Sequence, residues 1–194
     1  MKRFFYTLFL CATLAACSGV PLRSMPRLMQ LPSQLLEANP GEFMVALQVD
    51  ARLVPPPGAV PLLAIKLTPR DPAAFEAVDK KLPLQVAVAS AATLGLEAPP
   101  LGRRWLLYSM PTSTQAELQR IQATVRQAKA NPNYKAGGSL SLGVEQDSLA
   151  LAVTDTTLAQ THWETWLQTR RADGFFEVWS GTPAQLQRAA AKVK

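Results

Sequence analysis

The segment Thr156-Thr157-Leu158-Ala159-Gln160-Thr161-His162-Trp163-Glu164-Thr165-Trp166-Leu167-Gln168-Thr169-Arg170-Arg171-Ala172-Asp173-Gly174 decides the fold, because it reads in two ways. As a helix it starts at Asp155, sets Ala159, Trp163, Trp166 and Leu167 on one face, and ends at Gly174 in a left-handed cap. As a strand it runs from His162 to Thr169 and turns through Ala172-Asp173-Gly174 into a partner strand from Phe175 to Trp179, a favoured hairpin loop. The density of Thr and Trp favours the hairpin. The choice matters beyond these residues, since the helix would complete a βαββαβ unit over residues 103–180 and the hairpin an antiparallel sheet.

Upstream of this segment the apolar pattern changes period twice. From Glu42 to Leu53 it alternates, with Phe43, Val45, Leu47, Val49, Ala51 and Leu53 on one side and Glu42, Gln48, Asp50 and Arg52 on the other, which predicts a half-buried strand. Pro55-Pro56-Pro57-Gly58 ends it, and Leu62 to Thr68 restarts as a second strand expected to pair with the first. Phe75 to Lys81 reads as a helical turn or an edge strand, and Leu84, Val86 and Val88 as a third strand; Arg103 to Met110 places Trp105 and Leu107 opposite Leu106 and Tyr108. Over residues 113–130 the period becomes 3.6, with Leu118, Ile121, Val125 and Ala128 in one stripe and Gln119, Arg120, Arg126 and Lys129 outside it. Thr114 with Glu117 predicts a capping-box start, and Asn131-Pro132 a stop. Gly137-Gly138 then precedes the alternating Leu140, Leu142 and Val144, and Glu145-Gln146-Asp147-Ser148 is expected to turn the chain into a hairpin strand from Leu149 to Val153. Thr182-Pro183 with Gln185 starts a last helix, about 183–193, with Leu186, Ala189, Ala190 and Val193 on its apolar side.

These readings give an α+β class with mostly antiparallel β-sheet, a long amphipathic helix at 113–130 and a C-terminal helix. The alternative is a ferredoxin-like βαββαβ unit in residues 103–180.

At the other end of the chain, Lys2 and Arg3 precede an apolar run from Phe4 to Leu14 that closes on Leu14-Ala15-Ala16-Cys17. A charged start, an apolar stretch of about 7–15 residues and small residues at the cut describe a secretory signal, too short for a membrane span of about 20 residues. The Cys after the small pair resembles the lipobox of bacterial lipoproteins. That resemblance, which covers residues 1–18 only, implies removal of residues 1–16 and acylation of Cys17. Ser18, in place of the Asp that favours inner-membrane retention, implies the periplasmic face of the outer membrane. The expected organisation is a lipid-anchored tether at 17–41, followed by a body at 42–194, with a possible division into 42–102 and 103–194. Pro21, Pro26, Pro32 and Pro40 predict a tether with at most one helical turn, around Ser33 to Glu37. Its Leu and Met residues, with Arg23 and Arg27 between them, would dock on the body or lie in the lipid interface.

Loss of the signal removes Lys2 and Arg3, so the net charge of +6 drops by two. With no basic run longer than Arg103-Arg104 or Arg170-Arg171, this excess suits solubility and anionic surfaces and excludes nucleic acid as the expected partner. The two cysteines are Cys11, which leaves with the signal, and Cys17, so the body has no thiol to form a disulfide. His162 is the one histidine, which excludes the usual zinc or copper spacing, and G-x-S-x-G and S-x-x-K motifs are absent; no metal, cofactor or catalytic residue is assigned. Carboxylates at Asp71, Glu76 and Asp79 or at Glu145, Asp147 and Asp155 could in principle form an acid/base pair, but their spacing is not diagnostic and their loop positions fit solvated turns.

The remaining signal is aromatic. Trp163, Trp166, Phe175, Phe176 and Trp179 gather beside Arg170 and Arg171, and Trp and Arg are the residues that partner surfaces use as anchors. The expectation is therefore an outer-membrane lipoprotein acting as a non-enzymatic binding or scaffold protein for an envelope protein or glycan. Trp166, Arg170, Arg171, Phe176 and Trp179 are its candidate contact residues. The competing expectation is a membrane-tethered hydrolase that uses carboxylates on cell-wall glycan or peptide.

Overall fold

The computed structural model describes residues 19–88, 93, 95–132, 134 and 137–192, and Cys17 and the signal lie outside them. Among the described residues eight strands form two antiparallel sheets: β1 Met44–Asp50, β2 Leu62–Pro69, β3 Val78–Pro83, β4 Gln85–Ala87, β5 Arg103–Ser109, β6 Gly138–Glu145, β7 Trp163–Gln168 and β8 Phe176–Gly181. The larger sheet has the order β4-β5-β1-β7-β8 and the smaller β3-β2-β6. The helices are α1 Met25–Glu37, α2 Thr112–Ala130, α3 Asp147–Leu151, α4 Thr156–Ala159 and α5 Pro183–Lys192. The class is α+β, as the residue pattern indicates.

The deciding segment resolves as a hairpin, with one turn of helix ahead of it. Asp155 does start a helix, its carboxylate accepting from the Thr157 and Leu158 amides, but this helix stops at Ala159. The chain then extends as β7 and returns as β8, with Trp163, Thr165 and Leu167 buried on the inner face. A helix over 156–173 would have stacked the tryptophans on one stripe. The strand separates them, and the ferredoxin-like alternative falls with the helix. Phe175 and Phe176 accordingly point to opposite faces, each into its own apolar cluster.

The main core joins Val45, Leu47 and Val49 of β1 to Leu63, Ile65 and Leu67 of β2, to Trp163 and Leu167 of β7, and to the α2 stripe Leu118, Ile121 and Val125. Residue patterning alone misplaces four features here. The strand β1 is not half-buried: it lies at the centre of its sheet, and Met44, Ala46, Leu107 and Phe175 with Trp105, Trp166 and Leu96 cover the second face. It pairs with β5 and β7, not with β2, because the connection at residues 51–61 is too long for a tight hairpin and, with its own turn at residues 56–59, where the Ala59 amide donates to the Pro56 carbonyl, leads the chain to the other sheet. The β6 strand has no hairpin partner at 149–153. There Leu149, Ala150 and Val153 are buried at helical spacing and Leu151 is exposed, as suits the strong helix formers Leu and Ala. Finally, Thr114 is no cap: Pro111 occupies that position, and the buried Thr114 hydroxyl donates to the Pro83 carbonyl at 2.8 Å. A capping box not expected from the residue pattern forms at α5, where the Thr182 amide donates to Gln185 Oε1 and the Gln185 amide to Thr182 Oγ1.

The largest departure is α1, thirteen residues of helix where prolines predict a single turn. Pro26 falls in the first turn, where no amide is needed. Pro32 is internal and costs about 3 kcal/mol. Burial of Leu31 and Leu35, about 1.5–3 kcal/mol each, offsets it. The buried Gln122 amide of α2 also donates to the Leu35 and Ala38 carbonyls, satisfying the C-terminal end of α1 from outside the helix.

At the start of β6, Gly138 has φ +131°, and a Cβ there would stand 2.3 Å from the Thr68 carbonyl oxygen of β2. Gly138→Ala is expected to cost about 1–3 kcal/mol, whereas Gly143→Ala on the same strand, with nothing near its Cβ, should stay within about 0.5 kcal/mol. Urea midpoints of the two variants provide the check; equal values would mean that the sheet yields at Gly138.

Candidate functional site

An apolar cavity of about 290 Å³ lies where β6 of the smaller sheet meets β7 and β8 of the larger one. Strand periodicity supplies its walls: Leu142 and Val144 from β6, Thr165 and Leu167 from β7, and Val178 and Trp179 from β8. Leu28 and Leu31 of α1 and Leu186 of α5 close it further, and Val20 stands at its rim. Among the described residues that line it, Gln146 and Thr165 bring polar groups, which hydrogen-bond at 2.6 Å from Nε2 to Oγ1, and Trp179 brings its indole. Gln146 is 3% exposed, and its Oε1 has no hydrogen-bond partner among the described residues. Buried polar atoms are normally paired, so this acceptor is an unsatisfied group packed beside the cavity.

The chain matches no protein-family model, no curated protein and no solved structure.

The five candidate contact residues do not share one surface. Trp179 lines the cavity, and Phe176 is buried in the main core beneath Arg27, whose guanidinium carbon lies 5.6 Å from the ring centroid. Trp166 sits on the opposite sheet face, edge-to-face with Trp105 at 6.0 Å, its indole N–H donating to Glu164. The arginine over Trp166 is Arg23, at 6.0 Å, which also pairs with the buried Glu177 carboxylate. Arg170 instead faces Glu37 at 3.9 Å, and the Arg171 amide donates to Glu42. Thus the N-terminal segment supplies the cations for the aromatic cluster and covers part of it. Gly19 is the reason it can lie so close: a Cβ there would meet Trp179 Nε1 at 2.6 Å, its φ is +135°, and its carbonyl accepts from the Ser180 amide.

The titratable groups with displaced pKa values all lie outside this cavity. The Arg52 hydrogen bond holds the Asp50 carboxyl at about 2, the Thr157 hydroxyl and amide lower Asp155, the Glu145 hydrogen bond raises Lys81, and burial pushes the Tyr108 hydroxyl up to about 12. The first two belong to turn and cap architecture and the third to an ion pair. Asp79 and Glu145 are paired with Lys66 and Lys81 at 3.8 and 2.9 Å. Among the described residues no group of three or more His, Cys, Asp or Glu is placed to hold a metal ion. The exposed His162 lies 3.6 Å from Glu164. What the cavity offers is burial in a mostly apolar environment. Gln146 went unnoticed in the sequence because it stands in a polar turn-like run, Glu145 to Ser148, where nothing distinguishes a buried amide from a solvated one.

Proposed function

We propose that this is an outer-membrane-anchored periplasmic lipoprotein that binds an envelope component without catalysing its conversion, with the cavity beside the anchor as the binding site. The observation that carries the reading is the placement of exposed apolar side chains. Val20, Leu22, Met25 and Met29 all stand out from the segment that follows Cys17, with Leu22 87% and Met29 78% exposed. Leu28, Leu31 and Leu35 of the same helix turn inward. The segment therefore serves two apolar environments, the protein core on one side and a lipid interface on the other, with the basic Arg23 and Arg27 between them as at anionic membranes. Gly19, two residues after Cys17 in the sequence, is fixed against Trp179 at the cavity rim. An acylated Cys17 would thus hold the cavity against the membrane.

Metabolic labelling with a palmitate analogue is expected to mark the wild type and not Cys17→Ser; equal labelling of the two overturns the anchor. In the Cys17→Ser background, Leu22→Ser with Met29→Ser should reduce partition into anionic vesicles by roughly tenfold or more, given about 1.5–3 kcal/mol for each side chain buried. Unchanged partition would show that the apolar ridge does not face lipid.

A further inference from the structure

We propose that Met25 and Met29 form an oxidation site through which hydrogen peroxide loosens the contact of the body with the membrane. This rests on the lipid-facing ridge proposed above and adds the regulation of that contact. Besides Met1, the methionines are Met25, Met29, Met44 and Met110. Met44 and Met110 are buried, whereas Met25 is 43% and Met29 78% exposed. The division runs through α1 itself. Its leucines, Leu28, Leu31, Leu35 and Leu36, all pack on the main core, and its exposed large apolar side chains are both thioethers. Being four residues apart, they share one face of the helix.

This segregation decides what oxidation does. The sulfur lone pair attacks one oxygen of hydrogen peroxide, and an S–O bond forms as the O–O bond breaks. The proton on the transferred oxygen passes to the departing hydroxide, which leaves as water; the sulfur is oxidised and the peroxide reduced. The product is a sulfoxide, a polar group that reductases return to the thioether. At Met44 or Met110 it would disrupt a packed cluster. On the outer face of α1 it displaces no core contact, because the helix is held by leucine side chains and by its Leu35 and Ala38 carbonyls, which peroxide leaves unchanged. What is lost is the apolar ridge, reduced to Val20 and Leu22. Among the described residues no cysteine competes for the oxidant.

The test treats the Cys17→Ser protein of the partition assay with hydrogen peroxide, so that vesicle binding reports the ridge without the anchor. Peptide mass mapping is expected to find sulfoxide at Met25 and Met29 before Met44 and Met110. The urea midpoint should stay unchanged, while partition into anionic vesicles falls by roughly tenfold or more. Methionine sulfoxide reductases for both epimers should restore it. Met25→Leu with Met29→Leu should partition as the untreated protein does, both before and after peroxide. Oxidised protein that partitions undiminished overturns the proposal, as does an equal loss in the leucine variant, or oxidation of Met44 and Met110 first, with unfolding. Failure of the untreated protein to partition overturns the lipid-facing ridge and the proposal together, and because it shows before any peroxide is added, it is distinct from failure of the oxidation site alone.

Discussion

Trp163→Ala is expected to lose about 3–5 kcal/mol of folding stability, the largest effect of any single truncation considered. The ring is fully buried in the main core, between β1, which β7 borders, and the side chains from the smaller sheet and α2. Removing it leaves a cavity that the paired strands cannot collapse to fill. Trp166→Ala, three residues along the same strand, should cost about half as much, because its ring is only half-buried on the outer face, between Trp105 and the exposed Arg23 side chain that lies over it. Urea denaturation of both variants decides the ranking. Equal losses would show that the outer cluster of Met44, Ala46, Leu107 and Phe175 depends on Trp166 as strongly as the main core depends on Trp163.

Leu35→Ala should cost about 2–5 kcal/mol although it lies in the segment that proline content marks as a tether. The side chain is buried, and its backbone carbonyl accepts from Gln122 of α2, so α1 is part of the core. Met29→Ser on the exposed face of the same helix should stay within about 0.5 kcal/mol. Denaturation midpoints for the pair measure how far the membrane-proximal segment is fused to the body. If Leu35→Ala proves as mild as Met29→Ser, α1 is only loosely held and the cavity that Leu28 and Leu31 help to close would open with it.

The linear order of residues was enough to establish the α+β class, the helix at α2 with its buried stripe, the β5 and β7–β8 strands, and the opposite placement of Trp163 and Trp166. These are legible because local period and turn chemistry act over a few residues, and because Ala172-Asp173-Gly174 offers a loop that both flanking strands can use. Tertiary packing alone decided the rest. It sustained a proline-containing α1 by burying Leu31 and Leu35, drew β1 between β5 and β7 instead of beside β2, and coiled Asp147–Leu151 into a helix that buries Leu149 and Ala150. The cavity belongs to the same category: its walls come from residues 20, 28, 142, 165, 179 and 186, which no local pattern connects, and the unpaired Gln146 oxygen becomes visible only once β6, β7 and α1 have excluded water around it. Periodicity reports which side of an element is apolar, whereas the identity of the surface it meets depends on contacts far apart in the chain.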